Sequence, residues 1–306
     1  MALTLQVAGI HDETDRIRVF ALEGALAPHS AGAHVTVALE AGARSYSLID
    51  WPGQARLCIA VQREDDGQGG SRAMHALQPG DAIRVEGPKN DFPLADHTGP
   101  ALLLAGGIGV TPLISHATAL QAAGRAFAFH YATRSRAAAA FIEPLKAAFG
   151  AALSLHHDDE TPLDLPALMA AQPRDTHLYL CGPRGMIEAG RAAFIAAGLP
   201  EDQLHVELFE TAEAQAGDAP FEVEIADTGD VFTIPPGKTI IEVLEEAGHD
   251  LIYDCQRGDC GICQTDVIAG EPDHRDVVLS EAERASGKLI HICVSRAKSA
   301  RLVLDL

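Results

Sequence analysis

Residues 255–263 read CQRGDCGIC, and this loop is the most informative part of the sequence. Its cysteines follow a C-x4-C-x2-C spacing, and a further cysteine, Cys293, stands alone in HICVS. Gly258 and Gly261 allow the backbone between the cysteines to curl, so that amide groups point at the sulfur atoms. Thiolates gathered in this way form a soft ligand set that suits iron or zinc.

The spacing, with its distant fourth cysteine, is typical of a plant-type [2Fe–2S] cluster. The alternatives are a structural zinc ion and buried free thiols, because four cysteines also satisfy a tetrahedral metal. Zinc sites usually pair two C-x2–4-C knuckles, whereas Cys293 has no second cysteine near it in sequence. We therefore predict a [2Fe–2S] cluster held by Cys255, Cys260, Cys263 and Cys293.

The segment around these cysteines opens with two alternating runs, FEVEIA and VFTI, which predict a β-hairpin turning at Gly229. A helix is predicted next. Thr239 and Glu242 form a Thr-x-x-Glu capping box at its start, and Gly248 is placed to end it.

Upstream, the sequence changes character twice. Residues 1–98 contain short alternating runs such as HVTVALE, YSLID, RLCIAVQ and DAIRVEG, which predict an antiparallel β-barrel or sandwich. Residues 99–212 alternate strands such as ALLLA and FAFHYA with helices such as AAAAFIEPLKAAF, as in a doubly wound parallel α/β sheet. Residues 213–220 are predicted to be a solvated linker, and residues 221–306 a third domain.

Composition narrows the possible partners. The 306 residues are 47% hydrophobic and 22% charged, and a formal net charge of −20 argues against binding to nucleic acid or anionic lipid. A basic protein partner suits this surface better. The uncharged run over residues 98–124 is interrupted by glycines and Pro112, so a strand and a helix are predicted rather than a membrane span. The N-terminus has no secretory pattern, which predicts a cytoplasmic protein.

The whole chain resembles the family of phthalate dioxygenase reductases and vanillate O-demethylase reductases. PDHRDVVLS (residues 272–280) and ICVSRA (residues 292–297) are similar to motifs of that family. The resemblance implies an FMN-binding β-barrel, an NAD-binding α/β domain and a plant-type ferredoxin domain of β-grasp fold, in that order. GPKNDFPL (residues 87–94) resembles the hinge between the first two domains.

The resemblance also implies a flavin site at Arg44-Ser45-Tyr46-Ser47, which matches an Arg-x-Tyr-Ser motif. Arg44 would pair with the FMN phosphate, Tyr46 would lie along the isoalloxazine, and Ser47 would hydrogen-bond near N5, where hydride arrives. A glycine turn at a predicted helix N-terminus offers bare amides to the same phosphate. Its residues are Gly69, Gly70 and Ser71.

Two glycine turns at strand ends resemble the nicotinamide motifs of the ferredoxin reductase superfamily, and the resemblance implies a nicotinamide nucleotide site. The first, GGIGVTP at residues 106–112, opens a helix whose amides can approach a pyrophosphate, and the second is CGP at residues 181–183. The resemblance places Thr111 and Cys181 near the reactive ring, although a strand-end core thiol is the alternative for Cys181. The predicted nucleotide-binding residues are Gly106, Gly107, Gly109, Thr111, Arg134, Cys181, Gly182 and Pro183.

Two further residues carry predictions. The second strand of the nucleotide domain ends in HYATRS without the carboxylate that often binds the NAD ribose, and Arg134 there is able to meet a 2′-phosphate. Similar relatives mostly use NADH, so NADH is predicted rather than NADPH. Phe209, in VELFE, matches an aromatic residue that stacks on the flavin in relatives, and a core phenylalanine is the alternative.

Taken together, the resemblance implies the reductase component of a two-component Rieske oxygenase, with electrons passing from NADH to FMN and then to the cluster. Ser47, Thr111, Cys181 and Phe209 are the predicted residues at the reacting rings. One alternative is direct reduction of a small acceptor such as a quinone. An alternative of another class is a zinc-stabilised binding module.

Overall fold

In the computed structural model, residues 2–54, 56–209 and 217–306 are described. The chain forms two compact units, Met1–Glu207 and Leu208–Leu306. The first unit holds an antiparallel sheet followed by a parallel sheet, and the second unit holds the cysteine loop on a mixed sheet. Of the predicted linker, residues 213–216 lie outside the described residues.

The first sheet has six strands in the order β4-β3-β6-β1-β2-β5, and the strand pairs are antiparallel. Alternate residues such as Leu5 and Val7 point inward and are buried, as a period of two requires. The elements are β1 (Leu3–Asp12), β2 (Ile17–Glu23), β3 (His34–Ala38), β4 (Arg44–Ser47), β5 (Leu57–Gln62), α1 (Gly70–Ala76) and β6 (Ala82–Lys89).

The second sheet has five parallel strands in the order β11-β10-β7-β8-β9. Its central strand β7 is buried at every residue, as expected of a parallel strand covered on both faces. The strands are β7 (Ala101–Gly106), β8 (Phe127–Thr133), β9 (Leu153–His157), β10 (His177–Cys181) and β11 (Leu204–Glu207), and the helices are α2 (Val110–Ala122), α3 (Ile142–Phe149), α4 (Leu165–Ala170) and α5 (Arg184–Ala196).

One helix differs from its prediction. The run AAAAFIEPLKAAF was predicted as a single helix, but α3 begins only at Ile142. Pro144 explains the late start, because proline lacks a backbone donor and is tolerated only in the first helical turn. Phe141, just before the helix, has a φ of 61°, and its N–H donates to the Glu13 carboxylate at 2.8 Å.

The second unit is built on a sheet in the order β13-β12-β18-β14-β16, in which β12 is antiparallel to β13 and parallel to β18. The predicted capping box of Thr239 and Glu242 is present at the start of α6. The elements are β12 (Phe221–Ile225), β13 (Val231–Ile234), α6 (Ile240–Glu246), β14 (Gln264–Ala269), β15 (Pro272–Asp273), α7 (Glu281–Ser286), β16 (Leu289–His291), β17 (Arg296–Ala297) and β18 (Arg301–Leu304).

The uncharged run at residues 98–124 is divided between β7 and α2. Among the described residues, no helix is both long enough and apolar enough to cross a bilayer.

Candidate functional site

The four cysteines predicted as cluster ligands are brought together by strand pairing. Gln264 at the start of β14 pairs with His291 at the end of β16, so Cys263 and Cys293 become neighbours. Their sulfur atoms lie 3.1 Å apart. Cys255 is within hydrogen-bonding reach of both Cys260 and Cys293. The second unit thus gathers all four thiols beside one sheet end.

Hydrogen bonding within the group lowers the pKa of Cys255 and Cys263 and raises the pKa of Cys260 and Cys293. Hydrogen bonds with Cys260 and Cys293 hold the pKa of the Cys255 thiol well below its usual value. A hydrogen bond with Cys293 likewise lowers the pKa of Cys263 to about 7. In the described ranges, no three His, Cys, Asp or Glu side chains surround a single point as they would a lone metal ion. The evidence that the four cysteines form one group is therefore the set of contacts between pairs of their sulfur atoms.

The backbone of the cysteine loop curls through left-handed conformations. Gln256 has a φ of 53° and Gly258 a φ of 84°. A Cβ atom at Gly258 would lie 2.6 Å from a methyl group of Val294, so the site has room only for glycine. The curled loop directs the Arg257 N–H to the Cys255 sulfur at 3.3 Å. Such amide contacts fit thiolates that ligate a cluster.

A buried carboxylate, Asp276, supports this loop from the PDHRDVVLS segment. It accepts hydrogen bonds from the Leu279 N–H at 2.9 Å and from the Arg284 guanidinium at 3.2 Å. Burial alone would raise the pKa of Asp276, but the neighbouring His291 ring, the hydrogen bond from Leu279 and the charge of Arg284 hold it well below its usual value. The next residue, Val277, donates its N–H to the Gly258 carbonyl at 2.9 Å. Asp276 therefore organises the segment from which Val277 bonds to the loop.

A second buried carboxylate lies inside the loop itself. The Asp259 side chain is 3% exposed and lies 3.4 Å from the Arg257 guanidinium. Its Oδ2 accepts the N–H of Leu208 at 2.8 Å. Burial raises the pKa of Asp259 to about 7. Sequence reasoning missed both Asp259 and Asp276, because an acidic residue in a polar loop carries no sign of its burial.

The predicted flavin residues lie on β4 and beside α1. A Cβ atom at Gly70 would lie 2.9 Å from Cγ of Arg44, so the arginine packs directly on the glycine turn. Within the part of the chain that the structure describes, the buried hydroxyl of Ser47 has no hydrogen-bond partner. Burial raises the pKa of Tyr46 to about 12. An arginine on a glycine turn and an orphaned buried hydroxyl on the same strand fit a flavin mononucleotide.

The Gly69-Gly70-Ser71 turn is seen in detail at the start of α1. Gly69 has a φ of 99°, and α1 begins at Gly70. The Ser71 hydroxyl accepts the Glu64 N–H at 2.9 Å, so it already makes one contact within the protein. The Arg44 guanidinium donates to the Gln68 side chain at 2.6 Å. Polar side chains therefore lie on both sides of the two glycines: Arg44 and Gln68 on one side, and Ser71 on the other.

The two predicted nucleotide turns pack against each other at the carboxyl edge of the parallel sheet. The central strands β7 and β10 are neighbours, and Ala105 pairs with Cys181. A Cβ atom at Gly109 would collide with the Cys181 carbonyl, and one at Gly182 would lie 2.9 Å from Cα of Gly106. This edge is where open α/β sheets bind ligands. These glycines let the two turns pack backbone against backbone, and a Cβ atom at Gly107 would meet nothing within 4 Å, so bare backbone is left open at this edge as a glycine cradle.

The remaining predicted residues lie around this edge. Thr111 is buried in the first turn of α2, and its hydroxyl donates to the Ile108 carbonyl at 3.1 Å. Cys181 is fully buried at the end of β10. Arg134 follows β8 and is exposed. Phe209 belongs to the second unit and is 37% exposed, so it is not a core phenylalanine.

Comparison with known proteins agrees with this geometry. Residues 223–298 match the family model of the 2Fe-2S iron–sulfur cluster binding domain. The chain is 43% identical to a vanillate O-demethylase oxidoreductase of Pseudomonas sp. (strain HR199 / DSM 7063), with 92% of each chain covered. It is 42% identical to phenoxybenzoate dioxygenase subunit beta of Ectopseudomonas oleovorans, covering 99% of this chain and 97% of the relative.

Another relative, tetrachlorobenzoquinone reductase of Sphingobium chlorophenolicum, is 40% identical over 90% of this chain and 88% of its own. The solved structure of phthalate dioxygenase reductase superposes with a TM-score of 0.71 and 36% identity, covering 100% of this chain and 98% of that one. Full-length CYP116B46 from Tepidiphilus thermophilus gives a TM-score of 0.77 and 34% identity, but this chain spans only 42% of its length.

The fold and the grouped sites define a flavin- and iron–sulfur-dependent reductase. The chain belongs to the family of phthalate dioxygenase reductase and vanillate O-demethylase oxidoreductase. The predicted fold class is confirmed, as is the class of enzyme, a flavin- and iron–sulfur-dependent oxidoreductase. Its cofactors are FMN, a [2Fe–2S] cluster and NADH, with the FMN and NADH assignments resting on the family.

Proposed function

We propose that this protein is the reductase component of a two-component Rieske non-haem iron oxygenase. One observation carries the proposal: four grouped cysteine thiols share a chain with a flavin strand and a nucleotide cradle. Relatives named after an O-demethylase and a dioxygenase support an oxygenase as the electron acceptor. On this proposal the organic substrate binds the oxygenase rather than this chain.

Each domain predicted from the sequence binds one of the three cofactors. Residues 1–98 bind FMN, residues 99–212 bind NADH, and residues 221–306 hold the cluster, with residues 213–220 as the linker. Nicotinamides carry electron pairs and clusters accept single electrons, and bound FMN supplies the conversion between them. A plant-type cluster, at about −400 mV, is a strong enough reductant for a Rieske centre.

The chain's own residues bind and orient the reactants. Arg44 and the turn at Gly69, Gly70 and Ser71 hold the FMN phosphate, since a guanidinium suits a phosphate anion. Ser47, with a buried hydroxyl that has no partner among the described residues, would hydrogen-bond near flavin N5. The glycine cradle holds the dinucleotide pyrophosphate, and Thr111 and Cys181 border the nicotinamide.

Reconstitution tests this proposal. The purified protein, NADH and a purified Rieske oxygenase would be mixed anaerobically, and reduction of the Rieske centre followed by its visible spectrum. We expect reduction of the Rieske centre to outpace reduction of a benzoquinone at equal acceptor concentration. Turnover of the quinone without reduction of the Rieske centre would contradict the proposal.

Quinone reduction is the second candidate, because one relative is named tetrachlorobenzoquinone reductase. The two candidates predict different responses to loss of the cluster. A protein acceptor that takes electrons from the cluster stops being reduced in a Cys293→Ser variant. A quinone that reacts directly with the flavin continues to be reduced.

A further inference from the structure

Asp259 lies between two predicted cluster ligands, Cys255 and Cys260, and has been given no function so far. Its side chain is 3% exposed, which is an unfavourable environment for a carboxylate unless it is paired. Two partners supply that pairing: the Arg257 guanidinium at 3.4 Å and the Leu208 N–H at 2.8 Å. The contact with Leu208 spans 51 residues of sequence.

Leu208 marks the point where the chain enters the second unit. The Leu208 side chain is buried, at 1% exposure, and its N–H is hydrogen-bonded. The next residue is Phe209, with a side chain that is 37% exposed. The hydrogen bond from the Leu208 N–H to the Asp259 side chain therefore fixes the backbone next to Phe209 relative to the cysteine loop.

We propose that Asp259 is a positioning residue for electron transfer from the flavin to the cluster. By holding Leu208, it locks the entry point of the second unit, and the exposed Phe209 beside it, to the loop that carries the cluster ligands. The inference rests on the proposed function, in which electrons pass from the flavin to the cluster.

Two variants separate the hydrogen bond that Asp259 accepts from the negative charge that it carries. Asparagine keeps a side-chain oxygen that accepts the Leu208 N–H and removes only the negative charge. Alanine removes both the charge and the acceptor. If Asp259 acted only through its charge, the Asn and Ala variants would behave alike.

The experiment is anaerobic stopped-flow mixing of the loaded protein with NADH, with flavin and cluster absorbance recorded separately. In Asp259→Ala we expect flavin reduction within about 2-fold of the wild type and cluster reduction slowed by about 10-fold or more, since the buried hydrogen bond that holds Leu208 is lost. Asp259→Asn should reduce the cluster within about 3-fold of the wild-type rate. Asp227→Ala, which removes an exposed carboxylate from the same unit, is the matched control.

Hydrogen–deuterium exchange tests the hydrogen bond between Asp259 and Leu208 independently of electron transfer. The peptide that contains Leu208 should be protected in the wild type and in Asp259→Asn, and should lose that protection in Asp259→Ala. Equal rates of cluster reduction in the Ala and Asn variants would overturn the inference. Rapid exchange at Leu208 in the wild type would overturn it as well. A wild-type cluster that NADH does not reduce would instead refute the proposed function.

Discussion

Cys293 is the cluster ligand most distant in sequence, and the pairing of β14 with β16 places it beside Cys263. Serine at this position replaces a soft thiolate with a hard oxygen ligand. We expect Cys293→Ser to abolish electron transfer to a protein acceptor while NADH still reduces the flavin. Acceptor reduction and flavin bleaching, recorded in parallel, measure the two steps.

Cys58→Ser is the control for that variant, because Cys58 lies on β5 in the first unit. It should leave both steps unchanged. Loss of flavin reduction in a folded Cys293→Ser protein would show that the two steps are not sequential.

His116 makes the stability of the first unit depend on pH. It is fully buried, its Nε2 lies 2.9 Å from the Phe92 carbonyl, and burial lowers its pKa to about 4. Between the unfolded pKa of about 6.5 and the folded value, only the unfolded chain binds the proton, so stability falls as the pH drops through this range. We expect about 2 kcal/mol to be lost between pH 7.5 and pH 5.

Urea unfolding at the two pH values, followed by release of the flavin, measures this loss. In His116→Gln the difference between the two midpoints should shrink. An unchanged difference would assign the pH dependence to other groups.

At the scale of elements, Asp276 bonds to Leu279 and Arg284 and so organises the segment before α7, from which Val277 bonds to the cysteine loop at Gly258. Asp276→Asn leaves Arg284 without its charged partner, and breaking a buried ion pair costs about 3–5 kcal/mol. We expect the thermal midpoint of cluster loss, followed by visible absorbance, to fall markedly. Asp266→Asn, at an exposed position on β14, should leave that midpoint unchanged. Equal midpoints for the two variants would remove Asp276 as a support of the loop.

The elements also show what sequence patterns reveal. The capping box of α6 was predictable because Thr239 and Glu242 bond to each other's backbone within one turn. The late start of α3 follows from Pro144, a local signal that the alanine-rich run obscures. The bond between Asp259 and Leu208 was not predictable, because it depends on how a distant strand end packs.

In the sites, too, local features were predictable from the sequence and long-range contacts were not. The cysteine spacing and the glycine turns predicted residues that the fold gathers, since each motif is short and its geometry is local. The buried residues that pack around these motifs could not be predicted from the sequence. Asp276 and His291, both buried beside the cysteine loop, act through contacts between segments far apart in sequence.

For the whole molecule, the net charge of −20 predicts how the protein meets its acceptor. Charged partners of opposite sign associate faster at low salt, and screening removes the effect. We expect electron transfer to a basic oxygenase to slow several-fold between about 20 and about 200 mM NaCl. Reduction of the flavin by NADH, measured in the same buffers, shows whether salt acts on an earlier step. A rate of transfer that rises with salt would contradict an acidic docking surface.

The central claim is that this single chain carries electrons from NADH through FMN to a [2Fe–2S] cluster. Anaerobic titration with NADH, followed by visible absorption and accompanied by iron, sulfide and flavin analysis, tests it most directly. The account predicts one FMN and about two irons per chain, with bleaching of both chromophores on addition of NADH. A colourless protein containing zinc, or a cluster that stays oxidised while the flavin is reduced, would contradict it.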